Sequence, residues 1–159
     1  MNINPFTYFD HIDRTVTRWM AQNGIFLLRI SIGFIFIWFG ALKLFPGMSP
    51  AEEMAGTTIE ILTFGLIGAG TGLPILAVWE CLIGVGMFVR RYMRFTILML
   101  YLQMIGTFSP IVLLPGIVFE SAPFALALEG QYIFKNVVVI AAALVIGATV
   151  RGGRLKAEP

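Results

Sequence analysis

Glu80 is a carboxylic acid in the middle of an apolar stretch, LAVWECLIG, at residues 76–84. A lone charge in such a segment is costly, so it is expected to be paired or to be neutral. Three more residues with long polar side chains occupy apolar segments: Lys43, Gln103 and Lys135. A carboxylate near ammonium and amide groups could bind a ligand or exchange a proton. Ionisable residues inside membrane segments are candidates for a functional site by default.

Composition identifies the elements that must position these groups. The chain is 58% hydrophobic and only 13% charged, about half the charge of an average soluble domain, which indicates a bilayer protein. Four segments approach the ~20 residues that a membrane-spanning helix needs. They cover residues 25–43, 73–89, 94–114 and 132–150. The sequence therefore predicts an all-α integral membrane four-helix bundle, residues 25–150.

Depth along the helices suggests which polar groups meet. At ~1.5 Å per residue, Glu80 lies about 10 Å and Lys135 about 5 Å below the outer ends of their helices. Lys43 closes the first helix at the outer interface, and Gln103 lies near the midplane. We expect a Glu80–Lys135 ion pair, with Lys43 as the competing partner. The alternative to a functional site is that this pair only fixes helix packing, and Gln103 only links helices.

Arginine and lysine residues predict the orientation. The two connections at residues 44–72 and 115–131 contain neither, so the positive-inside rule places both termini in the cytoplasm, including a basic tail at 151–159. Arg29, near the inner end of the first helix, is expected to extend to the membrane surface. The basic residues that set the orientation are Arg14, Arg18, Arg90, Arg91, Arg94, Arg151, Arg154 and Lys156.

The segment before the first span, residues 1–24, is expected to form an amphipathic helix on the cytoplasmic membrane face. It begins with the cap Asn4-Pro5 and ends at Gly24. The alternative is a helix that packs on a soluble neighbour.

The Ser109-Pro110 pair predicts a kink or an early end of the third span.

The two outer connections are expected to form lids over the bundle. A capping box at Ser49 and Glu52 predicts a helix from Pro50 to about Phe64. Ser121 and Pro123 predict the start of a second, short helix.

Other residue types limit the chemistry. Trp79 and Tyr132 are candidates to line a pocket, although interfacial or core packing is the alternative. The single cysteine, Cys81, excludes an internal disulfide, and no metal-ligand spacing or nucleic-acid surface is present. Gly33, Gly40, Gly84 and Gly86 are expected to be close-packing positions between helices.

Three segments resemble the DoxX-like family of small bacterial membrane proteins. They are GFIFIWFGALKLFPG at 33–47, AVWECLIGVGMF at 77–88 and EGQYIFKNVVVIAAALVIGA at 129–148. The resemblance implies a four-helix bundle in a bacterial inner membrane. It also implies that the recurrent polar positions are Lys43, Glu80, Lys135 and Asn136.

Members of that family are linked to redox tasks, so the resemblance favours a membrane subunit or anchor of a redox or oxidative-stress system. A quinone is the candidate ligand, held under the lids against Trp79 and Tyr132, with Lys135 or Lys43 donating to a carbonyl oxygen. With one cysteine and no cofactor motif, the chain is not expected to be catalytic alone. An oxidoreductase partner and a homo-oligomer are the candidate assemblies. The alternatives are a small-solute or proton carrier that uses Glu80, or a non-catalytic structural or assembly factor.

Overall fold

A computed structural model of the protein describes residues 5–121 and 124–153. Four of its helical segments are long and apolar enough to cross a membrane: Asp10–Leu42, Ala69–Val89, Met93–Leu113 and Leu128–Thr149. The chain is therefore mostly helical and is a multi-pass membrane protein, which confirms the four predicted spans. Residues 1–4, Pro123 and residues 154–159, on which some predictions fall, lie outside the described residues.

The first helix, α1 (Pro5–Leu42), has 38 residues and is about 57 Å long, well beyond the ~30 Å hydrocarbon core. It runs through Gly24, where a helix end was predicted. A glycine inside a helix costs only about 1 kcal/mol, and the helical turns on both sides outweigh that cost. Side chains 10–22 are all exposed, so this part of α1 stands clear of the other helices. Its predicted place on the membrane surface stays a prediction.

The closest packing in the fold joins α1 to α3 (Ala69–Val89). A Cβ added at Gly84 would come within 2.7 Å of the Gly33 carbonyl oxygen, so the two backbones approach as closely as only glycine allows. Farther along, a Cβ at Gly40 would contact the Cβ of Glu80 at 3.0 Å. The two helices are antiparallel, and this contact brings the end of α1 beside the middle of α3.

The remaining membrane-length helices complete the bundle. α4 (Met93–Phe108) packs on α3 and α8 (Asn136–Thr149), and α8 also contacts α1. Their shared core is formed by aliphatic and methionine side chains. It includes Ile32, Phe36, Ile83, Met87, Ile97, Leu100, Ala143 and Ile146.

At the other end of α3, the long connection after α1 forms α2 (Glu52–Leu62), close to the predicted helix 50–64. The predicted capping box is wrong in detail. Ser49 makes no side-chain cap, and Oε2 of Glu52 accepts a hydrogen bond from the Gly47 N–H at 2.7 Å. The carboxylate still satisfies a backbone donor, but in the turn that precedes the helix.

The third connection differs more from its prediction. α4 ends at Phe108, as expected from Ser109-Pro110, and two short helices follow, α5 (Pro110–Leu113) and α6 (Pro115–Val118). A hairpin of β1 (Phe119–Ser121) and β2 (Ala125–Leu126) then replaces the predicted helix at Ser121. The Ala127 N–H donates to the Val118 carbonyl, which extends the pairing beyond the strands. The chain returns to the bundle through α7 (Leu128–Phe134).

These elements define two ends of the bundle. The lid end holds α2, the hairpin and α7, and the arginine end holds the connection from Arg90 to Tyr92 between α3 and α4.

Candidate functional site

Glu80 lies halfway along α3 and is buried, with 8% of its surface exposed. Its Oε2 is 2.7 Å from Nζ of Lys43, which follows the last residue of α1. Its Oε1 accepts a hydrogen bond from Nε2 of Gln103 on α4 at 3.0 Å. Both carboxylate oxygens therefore have donors, and one side chain joins three helices.

The prediction that Glu80 forms an ion pair with Lys135 is wrong. Glu80 pairs instead with Lys43, the competing partner. Depth alone placed both lysines within reach. The lateral position of the helices decides between them, because Gly40 lets α1 approach α3 one turn before Lys43. The Lys43 ammonium also donates to the Phe39 carbonyl at 3.3 Å, which fixes it at the end of its own helix.

Lys135 lies between two aromatic rings. Its Nζ is 4.0 Å from the centroid of the Tyr132 ring and 4.9 Å from that of Phe39. Such cation–π contacts contribute about 0.5–2 kcal/mol each, depending on how much water is excluded. Among the described residues, no carboxylate lies within ion-pair distance of this ammonium. Lys135 is thus held in place without its charge being neutralised.

The polar groups surround one cavity of about 230 Å³ at the lid end. Six of the seven predicted site residues line it. They are Lys43, Glu80, Gln103, Tyr132, Lys135 and Asn136. The lysines and the glutamate give the lining two positive charges and one negative charge, so the cavity wall has a net formal charge of +1. A wall of this kind favours an anion or an electron-rich acceptor.

Trp79 is the predicted site residue that the cavity does not include. Its neighbour Glu80 points into the cavity, and successive residues of a helix are rotated by about 100° from each other. The indole packs partly on the core and lines a shallow groove with Val78 and Leu82 on another face of α3.

The cavity roof contains residues that sequence reasoning missed. α2 contributes Met54 and Thr58, and the turn before it contributes Ser49. Thr58 is 5% exposed, and its hydroxyl donates to the Met54 carbonyl at 2.6 Å. The spacing of Met54 and Thr58, four residues apart on the face of a lid helix, could have indicated that Thr58 points inward.

Asn136 begins α8 directly after Lys135. Its amide Nδ2 donates to the Tyr132 carbonyl at 3.0 Å, across the junction of α7 and α8. This bond fixes the turn from which Lys135 projects. The Asn136 side chain therefore supports the position of the ammonium from one residue away.

Comparisons of the chain with protein-family models, curated proteins and solved structures find no match. The functional interpretation therefore depends on the cavity, on its charged residues, and on the family resemblance noted for segments 33–47, 77–88 and 129–148.

Proposed function

We propose that the lid-end cavity binds the headgroup of a small amphipathic acceptor molecule, with a quinone as the best candidate. The observation that carries the proposal is the Lys135 ammonium, which faces the cavity without a carboxylate partner among the described residues. An ammonium group donates charge-assisted hydrogen bonds to carbonyl or anionic oxygens.

The cavity volume supports a headgroup rather than a whole lipid-sized molecule. At roughly 30 Å³ per water, 230 Å³ corresponds to about eight waters, the size of one substituted ring. The space is smaller than the ~300–1,000 Å³ of drug-sized pockets, so an apolar tail would extend into the surrounding lipid.

The lining also fits the two chemical features of a quinone ring. Tyr132 and Phe39 provide aromatic faces beside the ammonium, and Lys135 provides a donor for one carbonyl oxygen. The Glu80 carboxylate, already bonded to Lys43 and Gln103, keeps the second ammonium oriented in the cavity wall. Such preorganisation lowers the entropy cost of binding.

The redox assignment rests on the DoxX-like resemblance of segments 33–47, 77–88 and 129–148. On that basis we propose a membrane subunit or anchor of a redox or oxidative-stress system in a bacterial inner membrane, working with an oxidoreductase partner. The basic residues at the arginine end support an orientation with that end in the cytoplasm. The lid cavity then lies in the outer half of the bundle.

Binding of a short-chain quinone to the purified protein tests the proposal. Lys135→Met removes one charge-assisted hydrogen bond, so the dissociation constant should rise about tenfold to a hundredfold. Arg91→Met removes an exposed charge at the other end of the bundle and should leave binding unchanged. If Lys135→Met and Glu80→Gln both bind quinone like the unmodified protein, the proposal fails.

A structural or assembly role is the second candidate, and the complete pairing of Glu80 favours it. If the Lys43–Glu80 pair only sets helix register, the exchange Lys43→Glu with Glu80→Lys should keep both stability and cellular phenotype. A binding site would lose its function in this double variant even when the bundle remains folded.

A further inference from the structure

Arg29 on α1 is buried far from the lid cavity. Arg29 is only 9% exposed, although its side chain was expected to reach the membrane surface. Its Nη1 atom is buried and has no hydrogen-bond acceptor among the described residues. Its one described partner is the Phe26 ring, whose centroid is 5.7 Å from Cζ. A buried guanidinium N–H without an acceptor is expensive, so this donor calls for an acceptor from outside the chain.

The position of Arg29 follows from the packing of α1 on α3. Gly40 contacts Glu80, and seven residues earlier on α1, Gly33 contacts Met87, seven residues later on α3. Moving four more residues along both antiparallel helices brings Arg29 level with the end of α3 and with Arg90. Since α3 has 21 residues and is about 31 Å long, it matches the hydrocarbon core, and Arg29 lies at the depth of lipid headgroups.

The surroundings of Arg29 are strongly positive. Arg90 is near enough for its charge to act on Arg29, and it caps α3 in a left-handed conformation with φ of 66°. Measured along the helix axes, the nearest carboxylates on the same two helices are about 16 Å away at Glu80 and about 24 Å away at Asp13. Three more arginines belong to this end: Arg91, Arg94 and Arg151. Within the described ranges, none of these arginines forms a salt bridge.

We propose that Arg29 and Arg90 bind the phosphate of an anionic phospholipid headgroup at the arginine end of the bundle. Guanidinium groups bind phosphate through two parallel N–H···O bonds, and basic pockets between membrane helices are suited to anionic headgroups. Arg29 supplies the buried donor, and Arg90 supplies an exposed charge at the end of α3. This site is separate from the lid cavity and does not depend on the function proposed for it.

The experiment uses the full chain in a neutral detergent. The thermal unfolding midpoint is followed by circular dichroism while short-chain phosphatidylglycerol, phosphatidylcholine or sodium phosphate is added at constant ionic strength. The variants are Arg29→Gln and Arg90→Asn, because asparagine tolerates the left-handed backbone. Arg14→Gln, which removes an exposed charge from α1, is the matched control.

Phosphatidylglycerol should raise the unfolding midpoint at concentrations where phosphatidylcholine has no effect. Each of Arg29→Gln and Arg90→Asn should weaken this response about tenfold in lipid concentration, the loss expected for one charge-assisted contact. Arg14→Gln should respond like the unmodified protein. If Arg29→Gln does not fold, the exposed Arg90 decides the outcome by itself.

Three results would overturn the proposal. An equal response to both lipids would exclude recognition of the anionic headgroup, and an equal loss in Arg14→Gln would reduce the effect to general surface charge. A response to sodium phosphate as strong as that to phosphatidylglycerol would keep the phosphate site but refute the lipid as its ligand.

Discussion

The Lys43–Glu80 ion pair offers the sharpest test of the bundle, because sequence reasoning favoured a different lysine. Lys43→Met removes an ammonium 2.7 Å from Oε2 of Glu80, and Gln103 then remains as the donor to this carboxylate. Removing one member of a buried pair costs about 3–5 kcal/mol. We expect about 3 kcal/mol, the lower end of that range, because Lys43 lies at the end of a membrane-spanning helix, where water is close.

The double variant Lys43→Met with Glu80→Gln should be less harmful than Lys43→Met alone. It removes both charges, and the introduced amide still accepts a hydrogen bond from Gln103. We expect a total cost of about 1 kcal/mol for the double variant, and up to about 1 kcal/mol for Glu80→Gln alone, whose amide oxygen still accepts a hydrogen bond from Lys43. With about 3 kcal/mol for Lys43→Met, the coupling energy between the two positions is roughly 2–3 kcal/mol. Unfolding by sodium dodecyl sulfate in mixed micelles at neutral pH, followed by circular dichroism, measures all four free energies of the cycle.

A second cycle with Lys135→Met and Glu80→Gln is the control. Lys135 contacts rings rather than the carboxylate, so its coupling to Glu80 should stay below about 0.5 kcal/mol. If Lys135 couples to Glu80 more strongly than Lys43 does, the described geometry of the site is refuted.

Two further predictions concern packing and orientation. Gly84→Ala should destabilise the protein by about 1–3 kcal/mol in the same unfolding assay, because its Cβ would lie 2.5 Å from a side-chain carbon of Ile37 on α1; Gly70→Ala, with open space around it, should be neutral or slightly stabilising. For the proposed orientation, a cysteine introduced by Leu66→Cys at the lid end, in a chain with Cys81 replaced by serine, should react with a membrane-impermeant maleimide added outside intact cells. Labelling of that position only after lysis would reverse the orientation.

Local properties of the sequence are sufficient to predict the main elements. Each membrane-length helix follows from the transfer free energy of its own residues into lipid, which does not depend on neighbouring helices. The end of α4 before Pro110 and the position of α2 follow from proline and from local hydrophobic spacing. Most of the polar side chains in the cavity lining were predictable, because polar residues such as Glu80 and Lys135 are conspicuous in apolar segments.

Two other local signals predicted structure that the protein does not adopt. Gly24 is a helix-ending residue by propensity, yet α1 continues through it. A glycine inside a helix costs only about 1 kcal/mol, which is small beside the stabilisation from the helical turns on both sides. Ser121 belongs to a strand, since the pairing of β1 with β2 satisfies backbone groups that a short helix would have left free.

Tertiary structure decided how the polar groups are paired. Depth along a helix can be counted from the sequence, but the direction of a side chain around the helix and the distance between two helices cannot. The contacts at Gly40 and Gly84 set that distance for α1 and α3, and they select Lys43 as the partner of Glu80. The same packing turns Trp79 away from the cavity and buries Arg29, because close contact between helices depends on residues far apart in the chain.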